Sequence, residues 1–132
     1  MGTNMRIEGR LKFIQEDNEF KKSPEYFKLL WDADDFLGEV ANQLKTRELW
    51  VVEDLDLEFT GNQLSISGAG KMQYLGVEVL LIFLACNGYE GQVYCSYDCG
   101  DNDTFVLQRG KLFSRQKEIL LEELKKDKYF LL

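Results

Sequence analysis

Acidic and apolar side chains alternate along the seven residues from Glu53 to Phe59, which read Glu-Asp-Leu-Asp-Leu-Glu-Phe. Successive side chains of an extended strand point to opposite faces, so the pattern predicts a strand whose leucines and phenylalanine enter a core. The other face then carries three carboxylates, from Asp54, Asp56 and Glu58. Such a row could serve as a pair of catalytic acids, as a cation site, or as a contact surface for basic side chains.

The spacing of these acids does not decide between the three uses. Carboxylates two residues apart on a strand stand about 6.6–6.8 Å apart, which would suit an inverting glycosidase, but its general acid also needs an apolar pocket that raises its pKa. The predicted partner strand, Leu64–Ser67, places two serines beside the acids and indicates a wet outer face. We interpret the row as a solvated sheet face, and among its functional uses we favour contact with Lys and Arg of a partner.

Several kinds of chemistry are excluded by residue type or spacing. The chain has no histidine, so Ser-His-Asp and Cys-His catalysis and histidine-ligated zinc are impossible. Cys86, Cys95 and Cys99 cannot supply a four-cysteine zinc site. Counted from Asp98, the acidic turn lacks the glycine at the sixth position and the glutamate at the twelfth position of an EF-hand loop. Gly68–Lys71 lacks the further glycine and the Ser or Thr after lysine that a Walker loop requires. We therefore predict no catalytic residue, no cofactor and no metal, and hence a protein that is not an enzyme.

Negative charge is concentrated in the middle of the chain. The formal net charge is −7, yet the segment Asp32–Asp103 holds fourteen acidic and three basic residues, a net of −11, whereas Phe105–Leu132 has a net of +3. Nucleic acid is disfavoured as a partner because phosphate binding needs clustered Lys and Arg. An acidic segment of this kind can attract a basic protein, although an acidic surface that only maintains solubility would look the same.

Length and composition predict one folded domain over residues 1–132, because 45% of the residues are hydrophobic and only one is proline. Met1–Arg6 leads into an alternating pattern without the apolar segment of a secretory signal. The longest apolar run, Val77–Cys86, is too short to cross a bilayer. Together with an odd number of cysteines, this predicts a cytoplasmic protein with free thiols and no membrane partner.

The elements that hold the acidic strand can be predicted from periodicity. Arg6–Phe13 alternates and indicates a first strand. A serine followed by proline begins a long helix over Pro24–Lys45, whose apolar residues recur at steps of three and four. The strand Leu49–Phe59 then returns through the turn Thr60–Gln63 as Leu64–Ser67.

The second half of the chain predicts three more strands and a helix. Val77–Cys86 is almost entirely apolar, as in a central strand covered on both faces, and Asn87-Gly88 resembles a turn. Gln92–Asp98 and Thr104–Gln108 follow as strands, and a C-terminal helix runs from Ser114 to about Lys126. The order β-α-β-β-β-β-β-α predicts an α+β fold with a mostly antiparallel sheet of five to six strands, on which the two helices pack.

Trp31 lies at the edge of the apolar stripe of the long helix, near Asp34 and Asp35. A tryptophan that is partly exposed beside acids makes a good anchor in an interface. The predicted partner-binding residues are therefore Asp54, Asp56, Glu58, Asp34, Asp35 and Trp31.

These observations support the hypothesis of a non-enzymatic binding or inhibitory module that occludes a basic partner protein. By analogy at the level of class, small acidic proteins of this type include immunity proteins that neutralise basic toxin nucleases. Two alternatives remain. One is a small ligand-binding domain or a carboxylate-using enzyme with a cavity between helix and sheet, and the other is a homo-oligomeric structural protein.

Overall fold

The computed structural model describes residues 4–14, 23–47, 51–71, 74–128 and 130. They form an α+β fold with seven strands and four helices. In chain order these are β1 (Asn4–Phe13), α1 (Pro24–Asp32), α2 (Phe36–Leu44), β2 (Asp56–Thr60), β3 (Gln63–Lys71), α3 (Tyr74–Cys86), β4 (Tyr89–Tyr97), β5 (Asn102–Gln108), β6 (Lys111–Ser114), β7 (Lys117–Ile119) and α4 (Leu121–Leu124).

All seven strands belong to one sheet with the order β2-β3-β1-β4-β5-β6-β7, in which neighbouring strands are antiparallel. The predicted class, α+β with an antiparallel sheet, is confirmed. The sheet is larger than the five to six strands expected, and the element order differs from the predicted one.

The first strand of the chain lies near the centre of the sheet, because β1 pairs antiparallel with both β3 and β4. β3 and β4 are therefore parallel to each other, and the connection between them, α3, must cross β1. The α1–α2 segment likewise connects β1 to β2, which are parallel on either side of β3. Crossovers of this kind place helices over a face of the sheet. Buried and exposed residues accordingly alternate along β1, β2 and most of β3.

The apolar run Val77–Cys86 is not the predicted central strand but part of the helix α3. From Leu75 to Ala85 each of its residues is buried except Glu78, which is half-buried. A helix that is apolar all round is typical of an enclosed core element, and thirteen residues exceed the usual length of a strand. Among the described residues no helix is long and apolar enough to span a membrane.

The turn predicted at Asn87-Gly88 is present, but it follows the helix α3 rather than a strand. The carbonyl of Phe83, in the last turn of α3, accepts two hydrogen bonds from Asn87, from its side-chain amide at 2.8 Å and from its backbone N–H at 3.1 Å. Gly88 adopts φ 94°, a conformation that favours glycine. The same two residue types thus serve as a helix stop.

The predicted helix Pro24–Lys45 is divided into α1 and α2 by a corner at Asp34, which takes the left-handed conformation with φ 63°. The backbone N–H of Asp35 donates to the carbonyl of Leu30 at 2.8 Å, and that of Asp34 donates to the carbonyl of Trp31 at 3.1 Å. This pair of bonds is the Schellman motif that ends many helices. The left-handed position after α1 is occupied by aspartate rather than by the usual glycine, so the sequence contains no obvious signal that the helix ends there.

The predicted hairpin between Leu49–Phe59 and Leu64–Ser67 is confirmed in its pairing and turn, but its first strand is shorter. β2 begins at Asp56, residues 51–55 form no regular strand, and residues 48–50, with Trp50, lie outside the described residues. β2 pairs antiparallel with β3, and Thr60 is opposite Gln63. Gly61 in the turn has φ 60°.

The predicted helix Ser114–Lys126 is mostly a hairpin. β6 and β7 pair through a turn at Arg115 and Gln116, and only Leu121–Leu124 forms the helix α4. Both turn residues have positive φ, 54° and 66°, as in the tight hairpin turns that normally contain Asn or Gly. Arg and Gln are not typical of such a turn, so the sequence pattern predicts a helix there instead.

An aromatic cluster joins the helices to the sheet. The ring of Phe27 in α1 lies 5.8 Å from Phe36, 5.5 Å from Phe83 and 6.4 Å from Tyr89, and Phe36 lies 6.1 Å from Phe59 of β2. All four pairs are tilted or edge-on, the favoured arrangement for aromatic rings. The cluster therefore fixes the α1–α2 corner against β2.

The Asp34 corner gives a test of the fold. Glycine lacks the Cβ that makes left-handed φ unfavourable, so we expect Asp34→Gly to be at least as stable as the natural protein and about 1 kcal/mol more stable than Asp34→Ala. Urea unfolding of the three proteins measures this difference. A glycine variant no more stable than the alanine variant would contradict the left-handed corner.

Candidate functional site

The acids of β2 lie on the exposed face of the sheet, at its edge. Asp56 is opposite Ser67 of β3 and Glu58 is opposite Ser65. All four side chains are exposed, whereas Leu57 between the two acids is 3% exposed. The predicted alternation thus separates acids and core residues as expected for these two carboxylates.

The third carboxylate of the predicted row, Asp54, is exposed but precedes the strand. Its position is set by close packing on β3. A Cβ atom added to Gly68 would lie 3.0 Å from the carbonyl oxygen of Asp54 and 3.1 Å from the Cα of Leu55. The glycine at this point of β3 therefore allows the chain to enter β2 close to the sheet, with Asp54 at the start of the acidic edge.

Basic residues lie two strands away from the acids. Arg10 of β1 is opposite Ser65, which is in turn opposite Glu58. Neighbouring strands are about 4.8 Å apart, so the backbones of Glu58 and Arg10 are separated by about 9.6 Å with a serine between them. The exposed face therefore has an acidic edge strand, then the serines of β3, and then the mixed charges of β1.

The short side chains between these strands leave a shallow open depression of about 640 Å³ over the middle of the exposed face. Its boundary includes Tyr94 of β4, whose side chain is 47% exposed. An exposed tyrosine among polar groups is a common interface residue. The depression is lined by Glu8, Arg10, Ser65, Ser67, Gln92 and Tyr94, among others.

Ion pairs neutralise the acids at the other end of the sheet. Asp103, Glu118, Glu122 and Glu123 pair with Arg115, Lys111, Lys125 and Lys126, at nitrogen–oxygen distances of 3.1–3.9 Å. Near β2, in contrast, a group of exposed acids has carboxylates without an ion pair or hydrogen bond within the described ranges. This group consists of Asp34, Asp35, Glu53, Asp54, Asp56 and Glu58.

Trp31 and Asp34 lie beside the approach to β2. Trp31 is half-buried at the end of α1, with its ring edge-on to Phe36 at 5.9 Å. Together with Asp34 and the segment before β2, it lines a cleft of about 260 Å³. Asp35 is exposed at the start of α2. The fold thus brings Trp31 and Asp34 close to the chain that carries Asp54, although the sequence places these residues on one long helix.

A second cluster of polar groups lies between α3 and β5. Asp103 points to the covered face, with a side chain only 9% exposed, and accepts a 3.2 Å hydrogen bond from the hydroxyl of Tyr97. Arg115 contacts its other oxygen at 3.1 Å. Burial, together with the charge of Asp103, raises the pKa of Glu78 from its ordinary 4.5 to about 7. This cluster therefore holds a carboxyl that exchanges its proton near neutral pH.

Sequence reasoning missed both carboxylates of this cluster. The sequence pattern places Asp103 in an acidic turn, but it belongs to β5 and points to the same covered face as the buried Phe105 and Leu107. Glu78 is the one acid within the apolar run Val77–Cys86. An isolated acid in an apolar run, and an acid in phase with buried strand residues, are the two signals that could have identified the pair.

The three cysteines occupy different environments and form no disulfide with one another. Cys95 is fully buried on the covered face of β4, and burial, with a smaller effect of Asp103, raises its pKa to about 12. Cys86 is exposed, although partial burial of its thiol raises the pKa of that group. Cys99 is exposed. Within the described ranges, no group of three or more acidic or cysteine side chains is arranged to hold a metal ion.

Comparison with known proteins adds no family assignment: no protein-family model, curated protein or solved structure matches the chain significantly.

Glu78 makes stability depend on pH. The unfolded chain releases this proton near pH 4.5, whereas the folded protein retains it up to about pH 7, so its contribution favours folding at low pH and is lost as pH rises through that range. Relative to the natural protein, Glu78→Gln should therefore become more stable between pH 5 and pH 8, as measured by urea unfolding. The same substitution at the exposed Glu25 is the matched control. A pH-independent effect of Glu78→Gln would contradict the raised pKa.

Thiol reactivity should follow burial, because only an accessible thiolate reacts. We expect Cys99 to react rapidly with an aromatic disulfide reagent, Cys86 more slowly, and Cys95 only after unfolding. The kinetics of thiolate release measure the three phases, and Cys99→Ala should remove the fast one. Rapid modification of Cys95 in the folded protein would show that the covered face is open.

Proposed function

We propose that this protein is a non-enzymatic binding module that occludes a basic surface of a partner protein, as an immunity-type inhibitor of a toxin nuclease would. The observation that carries the proposal is the group of exposed acids near β2 whose carboxylates are left without ion pairs in the described structure. Carboxylates that are neutralised within the protein offer little to a partner, whereas free ones can accept charge-assisted hydrogen bonds from Lys or Arg.

The arrangement of the acids also suits an interface. Asp56 and Glu58 lie on a strand and therefore keep a fixed spacing, so they can meet basic side chains in register. Trp31 lines the cleft beside the approach to β2, and Tyr94 is exposed on the same sheet face as the acids. Such aromatic residues often supply binding energy that charges do not. In this proposal the partner-binding residues are Asp54, Asp56, Glu58, Asp34, Asp35 and Trp31.

The proposal includes a cytoplasmic location. It is supported by the three cysteines, none of which is paired with another, since free thiols fit a reducing compartment.

Affinity capture tests the function and the position of the surface together. The natural protein, Asp56→Lys/Glu58→Lys and Asp98→Lys/Asp101→Lys serve as baits in the same lysate. The two control substitutions lie in the exposed segment between β4 and β5, and they change the net charge by the same amount as the two β2 substitutions. We expect the natural and control baits to retain the same basic protein at low salt and release it at high salt, with at least tenfold less retained by the β2 variant, since opposite charges attract over long range.

Equal retention by all three baits would contradict a role for β2. Retention lost equally in the two variants would show that net charge acts without a defined surface. Because exposed substitutions usually change stability by no more than about 0.5 kcal/mol, urea unfolding of each bait confirms that folding is not the cause.

A second candidate function rests on the Glu78–Asp103 cluster. Carboxyls with raised pKa values near neutrality are common in catalytic and ligand-binding sites, and this one lies between helix and sheet, where the alternative of a carboxylate-using enzyme or ligand-binding domain would place it. If the cluster binds the partner or a ligand, Glu78→Gln should abolish the capture that Asp56→Lys/Glu58→Lys leaves intact. The opposite pattern is expected if the acidic edge is the site.

A further inference from the structure

We propose that the cleft beside β2 receives an arginine side chain of the partner. This inference rests on the proposed function and names the chemistry that one part of the acidic surface recognises. The cleft, of about 260 Å³, lies between the α1–α2 corner and the residues that lead into β2. Because clefts that take drug-sized ligands are usually larger, about 300–1,000 Å³, this one suits a single side chain.

Five of the seven residues that line the cleft are apolar, although polar atoms contribute the larger part of its exposed surface. Trp31, Phe36, Leu37, Val52 and Leu55 line it. Phe36 is 1% exposed and Val52 is 8% exposed, so these walls belong to the core. Trp31 is half-buried, and within the described ranges its indole N–H has no hydrogen-bond partner. An apolar wall of this kind can take the methylene stem of a long side chain, as such stems commonly pack on apolar surfaces.

The charged lining determines the sign of the occupant. Asp34 and Glu53 are the two ionisable residues among those that line the cleft, and both are exposed acids without a basic partner in the described structure. Asp54 follows directly in the chain. A cation with an apolar stem therefore complements the cleft, whereas an anion or a neutral apolar group would leave the acids uncompensated.

A guanidinium fits this lining better than an ammonium does. Its planar group stacks on aromatic rings, is less strongly hydrated than an ammonium, and can present two parallel donors to a carboxylate. The cleft lies at the entrance to β2, since Leu55, which lines it, immediately precedes that strand. A partner segment bound at the β2 edge would place one arginine against Trp31 and Asp34.

Small probes test the cleft without the partner. N-acetyl-arginine amide is titrated against the natural protein while the indole N–H resonance of Trp31, assigned by its loss in Trp31→Phe, is followed by NMR. We expect a saturable shift of that resonance in the millimolar range. N-acetyl-citrulline amide, which has nearly the same shape but no charge, should bind at least tenfold more weakly, and N-acetyl-lysine amide several-fold more weakly.

Matched variants test whether the carboxylate of Asp34 contributes to binding of the arginine probe. Asp34→Gly removes the carboxylate while relieving the left-handed backbone, so it should keep the fold and weaken arginine-amide binding at least threefold. Asp98→Asn, a neutralised acid outside the cleft, should not change it. A shift that does not saturate, equal binding of the citrulline or lysine probe, or an Asp34→Gly variant that binds normally would each overturn the inference.

The outcomes separate this inference from the proposed function. Absence of probe binding, with capture still lost in Asp56→Lys/Glu58→Lys, overturns the arginine cleft alone. Specific probe binding, with capture insensitive to the β2 acids, overturns the role of the acidic edge and leaves the chemistry of the cleft intact.

Discussion

The burial of α3 on nearly all sides is the constraint on which the other elements depend. From Leu75 to Ala85 every residue but Glu78 is buried, and each large apolar side chain removed from water contributes about 1.5–3 kcal/mol. A helix without a polar face cannot lie on the surface, so one face of the sheet must cover it. Polar strand residues are thereby directed to the opposite face, which is how Ser65, Glu58 and Arg10 come to share one solvent-exposed surface.

The two ends of the sheet differ in whether their acidic side chains have ion-pair partners among the described residues. From β5 onward, acids are paired with basic side chains of the protein, as Asp103 is with Arg115 and as the glutamates of α4 are with the lysines that follow them. At the β2 end, exposed carboxylates stand without such partners in the described structure. Charges at an edge strand also discourage unwanted strand pairing, so the acids of β2 have a protective role as well as the binding role that we propose. The two roles are compatible, because both need the acids to remain exposed.

Local patterns predicted the parts of the fold that short-range physics determines. Alternation identified β1 and the buried and exposed faces around Asp56–Phe59, and Gly61-Asn62 identified the hairpin turn. Prediction failed where the usual residue was absent or ambiguous. Asp34 ends α1 in place of glycine, Arg115 and Gln116 form a turn without Asn or Gly, and Asn87-Gly88 ends a helix rather than joining strands. For the candidate site, the acids of β2 were predictable from their period. The juxtaposition of Trp31 with the approach to β2 depends on contacts between distant segments and could not be predicted locally. Local patterns could single out Glu78 and Asp103 as unusual acids, but not the proximity of the two.

If the acidic edge of β2 attracts a basic partner, the rate of association must depend on salt. Screening shortens the Debye length from about 30 Å at 0.01 M to about 10 Å at 0.1 M salt. For the captured partner, the association rate constant of the natural protein should fall steeply over this range, as should that of Asp98→Lys/Asp101→Lys. The rate for Asp56→Lys/Glu58→Lys should be about tenfold or more lower at low salt and nearly independent of salt. The same steep salt dependence in all three proteins would contradict the account.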